Sequence, residues 1–246
     1  MGTPRIPRLH VPGGHLTGDV VELAPDASHQ LARVLRLRAG EPVQLFDGQG
    51  RRFAARVLDA DARRCRLRVD GVEAGLPDGP LRITLAQCLS SAEKMDWTIE
   101  KAVELGVHAI VPLASARSVV RLDPDRARRR AEHWARLVAA ACAQCGRDRL
   151  PVVHEPLALA AWLASPRAGA RRFVLSPGTG TRIGALPSPG DDVELLVGPE
   201  SGLSDEELAQ ALAAGCGALS LGPRVLRTET AGLAAVAALQ ARFGDL

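Results

Sequence analysis

Two short stretches carry residue types and spacings from which chemistry can be built. The first is Gly198-Pro199-Glu200-Ser201-Gly202, directly after the apolar run 193–197. The second is Gly222-Pro223-Arg224-Val225-Leu226-Arg227, directly after the apolar run 218–221, with Glu229 two residues further on. In α/β sheets, ligands bind outside the carboxyl ends of strands. Glycine there lets the main chain approach a ligand closely. Both loops therefore suit a ligand held mainly by backbone groups. Gly-Pro after a strand is also ordinary turn chemistry, and spacing alone favours that plainer reading. Arg227 and Glu229 fall at a loop-helix junction. A guanidinium there can stabilise developing negative charge. The plainer role for the two is an ion pair at a helix start, where Glu is favoured.

Other motifs are weaker. Residues 176–184 space their glycines as G-x-G-x-x-x-G, one residue too long for a dinucleotide fingerprint, and Pro187, Pro189 and Gly190 interrupt the helix that should follow. Cys142 and Cys145 form a C-x-x-C inside an expected helix over 137–145, without a second pair or a nearby His set. Zinc wants four ligands, so buried small residues fit that pair better, and no metal is expected. Arg126–Arg130 is a local basic cluster.

The elements that must position the loops follow from the hydrophobic pattern. Strands are expected over 20–23, 43–46, 53–58 and 64–69, with a hairpin turn at Asp47-Gly48-Gln49-Gly50 and a helix over 29–37. In the fourth strand Cys65, Leu67 and Val69 alternate with Arg64, Arg66 and Arg68, giving one apolar and one cationic face. Residues 71–80 read as a Gly/Pro linker. From residue 81 strands and helices alternate, which argues for a mostly parallel sheet covered by helices. Ser90 and Glu93 are expected to form a capping box, as are Ser204 and Glu207. Asp123-Pro124 opens a long Arg/Ala helix with Pro at its first position. The last helix is expected over 228–243, with Leu233, Val236, Ala237 and Gln240 near one face.

The 246 residues suit one large domain or two smaller ones, and 46% apolar content is ordinary for a globular chain. No apolar run approaches a membrane span, and the N-terminus lacks the apolar core of a signal peptide. A soluble, cytoplasmic protein is expected. The net charge is +3, and residues 1–75 hold 12 Arg against 9 acidic residues. The excess is thus N-terminal and hints at an anionic partner there.

The residues themselves point further. Gly-Pro-Glu-Ser-Gly-Leu-Ser from 198 and Leu-Gly-Pro-Arg-Val-Leu-Arg-Thr-Glu-Thr-Ala from 221 resemble the paired signatures of the SPOUT-class enzymes that methylate N3 of a uridine in 16S ribosomal RNA, the ribosomal RNA small subunit methyltransferase E family. Lys94-x-Asp96, then Lys101-Ala102-Val103-Glu104-Leu105-Gly106-Val107, resembles its middle helix, Arg117-Ser118-Val119 its Arg-Ser-Val loop, and Ala141–Arg147 its Gln-Ser-Gly-Arg segment. Pro7-Arg8, the stretch 29–36 and Asp47-Gly48 are similar to its N-terminal PUA-like domain. Ser201 departs from the usual Gly-Pro-Glu-Gly-Gly, which matters if that position needs a positive φ.

The resemblance implies a PUA-like RNA-binding domain over 1–73 and a SPOUT domain over 78–246, with a parallel sheet and a deep trefoil knot. It implies S-adenosylmethionine between the two loops, 16S rRNA or the small subunit as substrate, and a homodimer, for which the apolar face of the last helix is the expected surface. The cofactor-binding residues implied are Leu175, Val197, Gly198, Pro199, Glu200, Gly202, Leu221, Gly222, Leu226 and Thr230. Arg227 and Glu229 are the catalytic residues implied; Arg8, Arg33, Arg36, Arg117 and Arg147 are the RNA contacts. A SPOUT enzyme for another RNA and a non-catalytic ribosome-assembly protein remain the alternatives.

Overall fold

The chain forms two units, each built on its own sheet. The computed structural model describes residues 6–12, 16, 19–118 and 123–246. The N-terminal residues 1–5 and Val119 of the expected Arg-Ser-Val loop lie outside them.

The first unit takes Met1–Asp78 together with Ala139–Leu150. Its elements are β1 (Arg8–His10), β2 (Val20–Glu22), α1 (Pro25–His29), β3 (Pro42–Phe46), β4 (Arg51–Asp59) and β5 (Arg66–Ala74). They form a five-stranded sheet in the order β1-β3-β4-β5-β2, with only the β1–β3 pair parallel. Cys65 and Leu67 are buried while Arg64, Arg66 and Arg68 face solvent, so the alternation read from the sequence sets which face is core.

Two local expectations change. The helix expected over 29–37 starts at Pro25, whose fixed φ suits a first turn, and then widens into a π-type turn over Gln30–Val34. Leu31 is fully buried, but Val34 is 65% exposed, because the wider turn rotates it off the face it would share in a 3.6-residue helix. The linker expected over 71–80 is shorter, since β5 runs on to Ala74. Gly71 pairs with Ala54 where the register shifts, and glycine tolerates such a bulge.

Asp148 explains why a segment from mid-chain joins this unit. Its buried carboxylate accepts from Arg8 at 2.8 Å, from Arg52 at 2.8 Å and from the Leu76 N–H at 2.9 Å. A buried carboxylate without such partners would be strongly destabilising. A division drawn along the chain cannot show this.

The second unit takes Gly79–Val138 and Pro151–Leu246. It contains β6 (Arg82–Cys88), α2 (Ala92–Glu104), β7 (Ala109–Ala114), α3 (Pro124–Cys145, to Val138 in this unit), β8 (Val152–Val153), β9 (Leu157–Ala158), α4 (Leu159–Leu163), β10 (Arg171–Leu175), β11 (Thr181–Arg182), β12 (Asp192–Val197), α5 (Asp205–Ala213), β13 (Gly217–Ser220) and α6 (Thr228–Phe243). The sheet order is β11-β13-β10-β12-β6-β7-β8, with β9 also on β7, and every pairing is parallel. Strands covered on both faces read as continuous apolar runs, as 193–197 does.

Buried Arg172 donates to Glu194 and to the carbonyls of Trp162, Leu163 and Ser165. It thereby satisfies acceptors left open at the end of α4. The capping box expected at Ser90 is absent. Ser91 is the N-cap and makes no side-chain cap bond, so Glu93 falls at the second helical position, where it cannot reach back. The box at Ser204 and Glu207 is formed.

Helix α6 lies close on the sheet at Gly232, where a Cβ would meet Gln87 Oε1 at 3.0 Å and Val197 Cγ2 at 3.4 Å. Leu233, Val236 and Gln240 are buried and Ala237 is half-buried, and α6 packs on α2, β6 and β12. The face that the sequence offered as a dimer surface is therefore already used inside the unit.

Candidate functional site

Strands β13, β10 and β12 are neighbours, so their carboxyl ends open side by side. Between them lies a cleft of about 230 Å³. The loop after β12 contributes Val197, Gly198, Pro199, Glu200 and Gly202; the loop after β13 contributes Leu221, Gly222 and Leu226; β10 contributes Leu175. These nine are the residues the sequence singled out for a cofactor. The tenth, Thr230, is exposed and does not line the cleft. Thr228 and Ala231 do, being three residues apart on the inward face of α6. Ser176, Pro177, Leu203, Leu208, Leu219, Arg224 and Val225 complete the lining. Ser176 and Pro177 were legible as a turn after a strand but carried no signal of their own.

The first loop is held from several sides. Thr228 Oγ1 donates to the Gly198 carbonyl at 2.6 Å and accepts from Gln87 Nε2 at 2.9 Å. Lys94 Nζ reaches Glu200 Oε1 at 2.9 Å and Glu229 Oε1 at 3.9 Å. Arg117 Nη1 donates to the Ser201 and Leu203 carbonyls, both at 3.4 Å, and the Ser201 hydroxyl donates back to the Arg117 carbonyl at 3.3 Å. The Gly202 N–H closes a turn onto the Pro199 carbonyl at 2.9 Å. Gly202, with φ of 73°, carries the left-handed residue. Ser201 has no positive φ, so its substitution for the usual Gly leaves the loop unstrained.

The second loop is held by little beyond itself. The Gly222 N–H donates to Ser220 Oγ at 3.3 Å, and Val225 is 80% exposed. Gly222 adopts φ of 119°, and a Cβ placed there would meet nothing within 4 Å. The position a side chain would take there is thus open space.

Arg227 is the N-cap residue of α6, exposed, and makes no cap bond. Among the described residues its guanidinium has no ion pair. The helix-start pair with Glu229 is not formed; Glu229 faces Lys94, and its Oε2 is buried without a hydrogen-bond partner. Cys88, beside Gln87, has its thiol pushed up to about 12 by burial, with Glu207 adding to the effect against a hydrogen bond from Ser115. It is no nucleophile at neutral pH.

The arginines expected to touch RNA separate. Arg33 and Arg36 are exposed, without ion pairs among the described residues, and Arg36 has φ of 55°. Arg8's side chain is only 8% exposed and is committed to Asp148. Arg147 pairs with Asp78 at 3.1 Å. Arg117 braces the first loop.

Comparison with known proteins identifies the family. A family model described as an RNA methyltransferase domain matches residues 77–240, and one described as an RNA methyltransferase PUA domain matches residues 23–70. Over 98% of both chains the protein is 32% identical to the ribosomal RNA small subunit methyltransferase E of Buchnera aphidicola. A methyltransferase of Legionella pneumophila, solved in complex with the bound cofactor SAM, superposes with a TM-score of 0.94 at 36% identity, covering 98% of this chain and 100% of that one. The ribosomal RNA small subunit methyltransferase E of Neisseria gonorrhoeae, solved bound to S-adenosyl methionine, gives 0.90 at 36% identity with the same coverage.

Proposed function

The chain belongs to the ribosomal RNA small subunit methyltransferase E family of RNA methyltransferases, and from that premise we propose that it methylates N3 of one uridine in 16S rRNA. It is an rRNA methyltransferase that uses S-adenosylmethionine. The observation that carries the reading is the cleft at the carboxyl ends of β10, β12 and β13, walled by two Gly-Pro loops.

The residues present fit such a cofactor. Leu175, Val197, Leu219 and Leu226 offer apolar walls for a flat base, and the open Cα of Gly222 leaves room for close main-chain approach. The bound cofactor supplies an electrophilic methyl group. The protein aligns the uracil and handles the charge of N3. Arg227 is the cation we assign to the negative charge left on uracil when N3 loses its proton. Glu229 does not line the cleft and its free oxygen is buried, so the part we assign it in catalysis is to hold Lys94 and the loop junction beside Arg227, not to take the proton. Arg33 and Arg36 are the phosphate contacts assigned to the PUA domain. Neutralising both lowers RNA affinity and leaves S-adenosylmethionine affinity unchanged.

A homodimer belongs to the same reading. Its surface is no longer the buried face of α6 but the rim of the cleft, where Val225 stands uncovered. The deep trefoil knot implied by the family is likewise part of the proposal. No helix among the described residues is long and apolar enough to cross a membrane, and the cytoplasm is the compartment we assign.

The test is nucleoside mass spectrometry of 16S rRNA after incubating unmethylated small subunits with the protein and S-adenosylmethionine. 3-Methyluridine is expected. A different methylated nucleoside would transfer the reading to another target. No methylation by a protein that binds the cofactor would favour the assembly-factor alternative.

A further inference from the structure

The N-terminal domain does not hold all the unpaired positive charge. Residues 124–138 contain five Arg against Asp125 and Glu132, a net of +3, whereas the rest of 76–246 holds 14 basic and 17 acidic residues, a net of −3. The sequence shows this only as a cluster around 126–130. The structure resolves it into faces.

Trp134 and Val138 are each 1% exposed and define the inward side of α3. At 100° per residue, Arg129 and Arg136 then point away from that side, with Asp125 and Glu132 on the same outward face, while Arg126 and His133 fall on one flank. Arg128 falls on another flank and pairs with Asp125 at 2.7 Å. Arg126 makes one exposed pair with Asp123 at 3.2 Å. Arg129 and Arg136 are exposed and have no ion pair among the described residues, although Asp125 and Glu132 lie four residues before them on the same face.

The rotation of this helix is locked. Asp96 on α2 accepts from Trp134 Nε1 at 3.0 Å and bonds His133 Nε2 at 2.7 Å. Two residues away on α2, Lys94 holds Glu200 of the first loop. One helix thus fixes both the direction of these arginines and the loop of the cleft.

We infer that the outward pair Arg129 and Arg136 is a second RNA-backbone contact, carried by the methyltransferase domain itself and separate from the PUA domain. This rests on the proposed rRNA substrate. Arg129 and Arg136 stand about 10 Å apart along the helix axis, within reach of neighbouring phosphates of one strand. Guanidinium groups bind phosphate oxygens through paired N–H donors. Arg129 and Arg136 are held outward and without ion pairs among the described residues, so their N–H donors stay available to an anionic strand.

The test uses the full chain with Arg129→Gln and Arg136→Gln together, and naked 16S rRNA as the probe. RNA affinity should fall about ten-fold, and the slope of log K against log salt should flatten by about 1.4 to 1.8 for two lost phosphate contacts. Melting temperature and S-adenosylmethionine affinity should not move. Arg128→Gln, on the paired flank, should change affinity less than two-fold. Unchanged affinity and slope for the double variant would overturn the proposal. So would a loss seen only with assembled subunits and not with naked rRNA, which would identify an acidic protein as the partner. RNA affinity is read independently of the modified nucleoside. Absence of 3-methyluridine with wild-type protein would therefore sink the assigned reaction without touching this result.

Discussion

The two loops that wall the cleft have similar sequences and opposite constraints. The loop after β12 is braced from α2, from the α6 start and from the 115–118 turn, through Lys94, Thr228 and Arg117. The loop after β13 bonds only to its own Ser220 among the described residues, and its tip residue Val225 is 80% exposed. Both begin with Gly-Pro. The difference shows that a shared motif does not imply a shared mechanical role. The braced loop is a preformed wall. The unbraced one can adapt, and it leads directly into Arg227. Substitutions at the braces should register in stability and cofactor affinity; those beyond the unbraced loop should register in rate.

The largest effect is expected at Arg227. Arg227→Ala should lower the single-turnover rate by about 10²-fold at saturating cofactor and RNA, the scale for losing a charge-stabilising donor, with little change in melting temperature. Arg227→Lys should restore little, since a point charge cannot reproduce a planar fork. A normal rate with a lowered melting temperature would reverse the contrast.

Thr228→Val attacks the central brace. It removes the bond to the Gly198 carbonyl and the acceptor of Gln87 Nε2, whose Oε1 is already unpartnered. Leaving buried polar groups unsatisfied costs about 1–3 kcal/mol. Denaturant unfolding should show that loss, and calorimetry a cofactor affinity weaker by about ten-fold. Stability lost without any loss of affinity would mean that the brace serves only the fold.

Gly222→Ala sharpens the comparison from the other side. At φ of 119° an L-residue is strained, on the order of 1–2 kcal/mol. Because the loop has few braces it should relax, so that unfolding free energy changes by less than about 1 kcal/mol while cofactor affinity falls. A full loss of stability would show the loop to be as rigid as its neighbour.

Lys94→Met should have the smallest effect. Lys94 and Glu200 are each about one-third exposed, and such pairs contribute about 0–1 kcal/mol. Cofactor affinity should drop by about two- to three-fold at low salt, and the difference should shrink as ionic strength rises. An effect that persists in high salt would place the interaction in a less solvated site than its exposure indicates.

Much of this was readable before folding. Apolar runs ending in Gly-Pro placed both loops, since strand period and turn chemistry are local properties. The capping box at Ser204 and Glu207 lies within four residues and needed nothing else. Errors arose where a local rule met a distant partner. Ser90 is buried at a strand end, so the helix starts one residue later. Thr230 was chosen for its place in the motif, but the register of α6 turns Thr228 inward. The apolar stripe Leu233, Val236 and Gln240 signals burial without saying against what, and α2 and the sheet cover it. Arg8 resembled an RNA contact until Asp148, 140 residues away, claimed it.

By itself the sequence determined the two sheets, the paired Gly-Pro loops and the family, because these follow from periodicity and short motifs. Tertiary structure alone decided that β13, β10 and β12 lie side by side, which makes a cleft of two loops separated in the chain. It alone set Lys94 on Glu200, 106 residues away, and left Arg227, Arg129 and Arg136 without ion pairs among the described residues. Charge neutralisation depends on distances of a few ångströms, and such distances between remote residues exist only once the chain is folded.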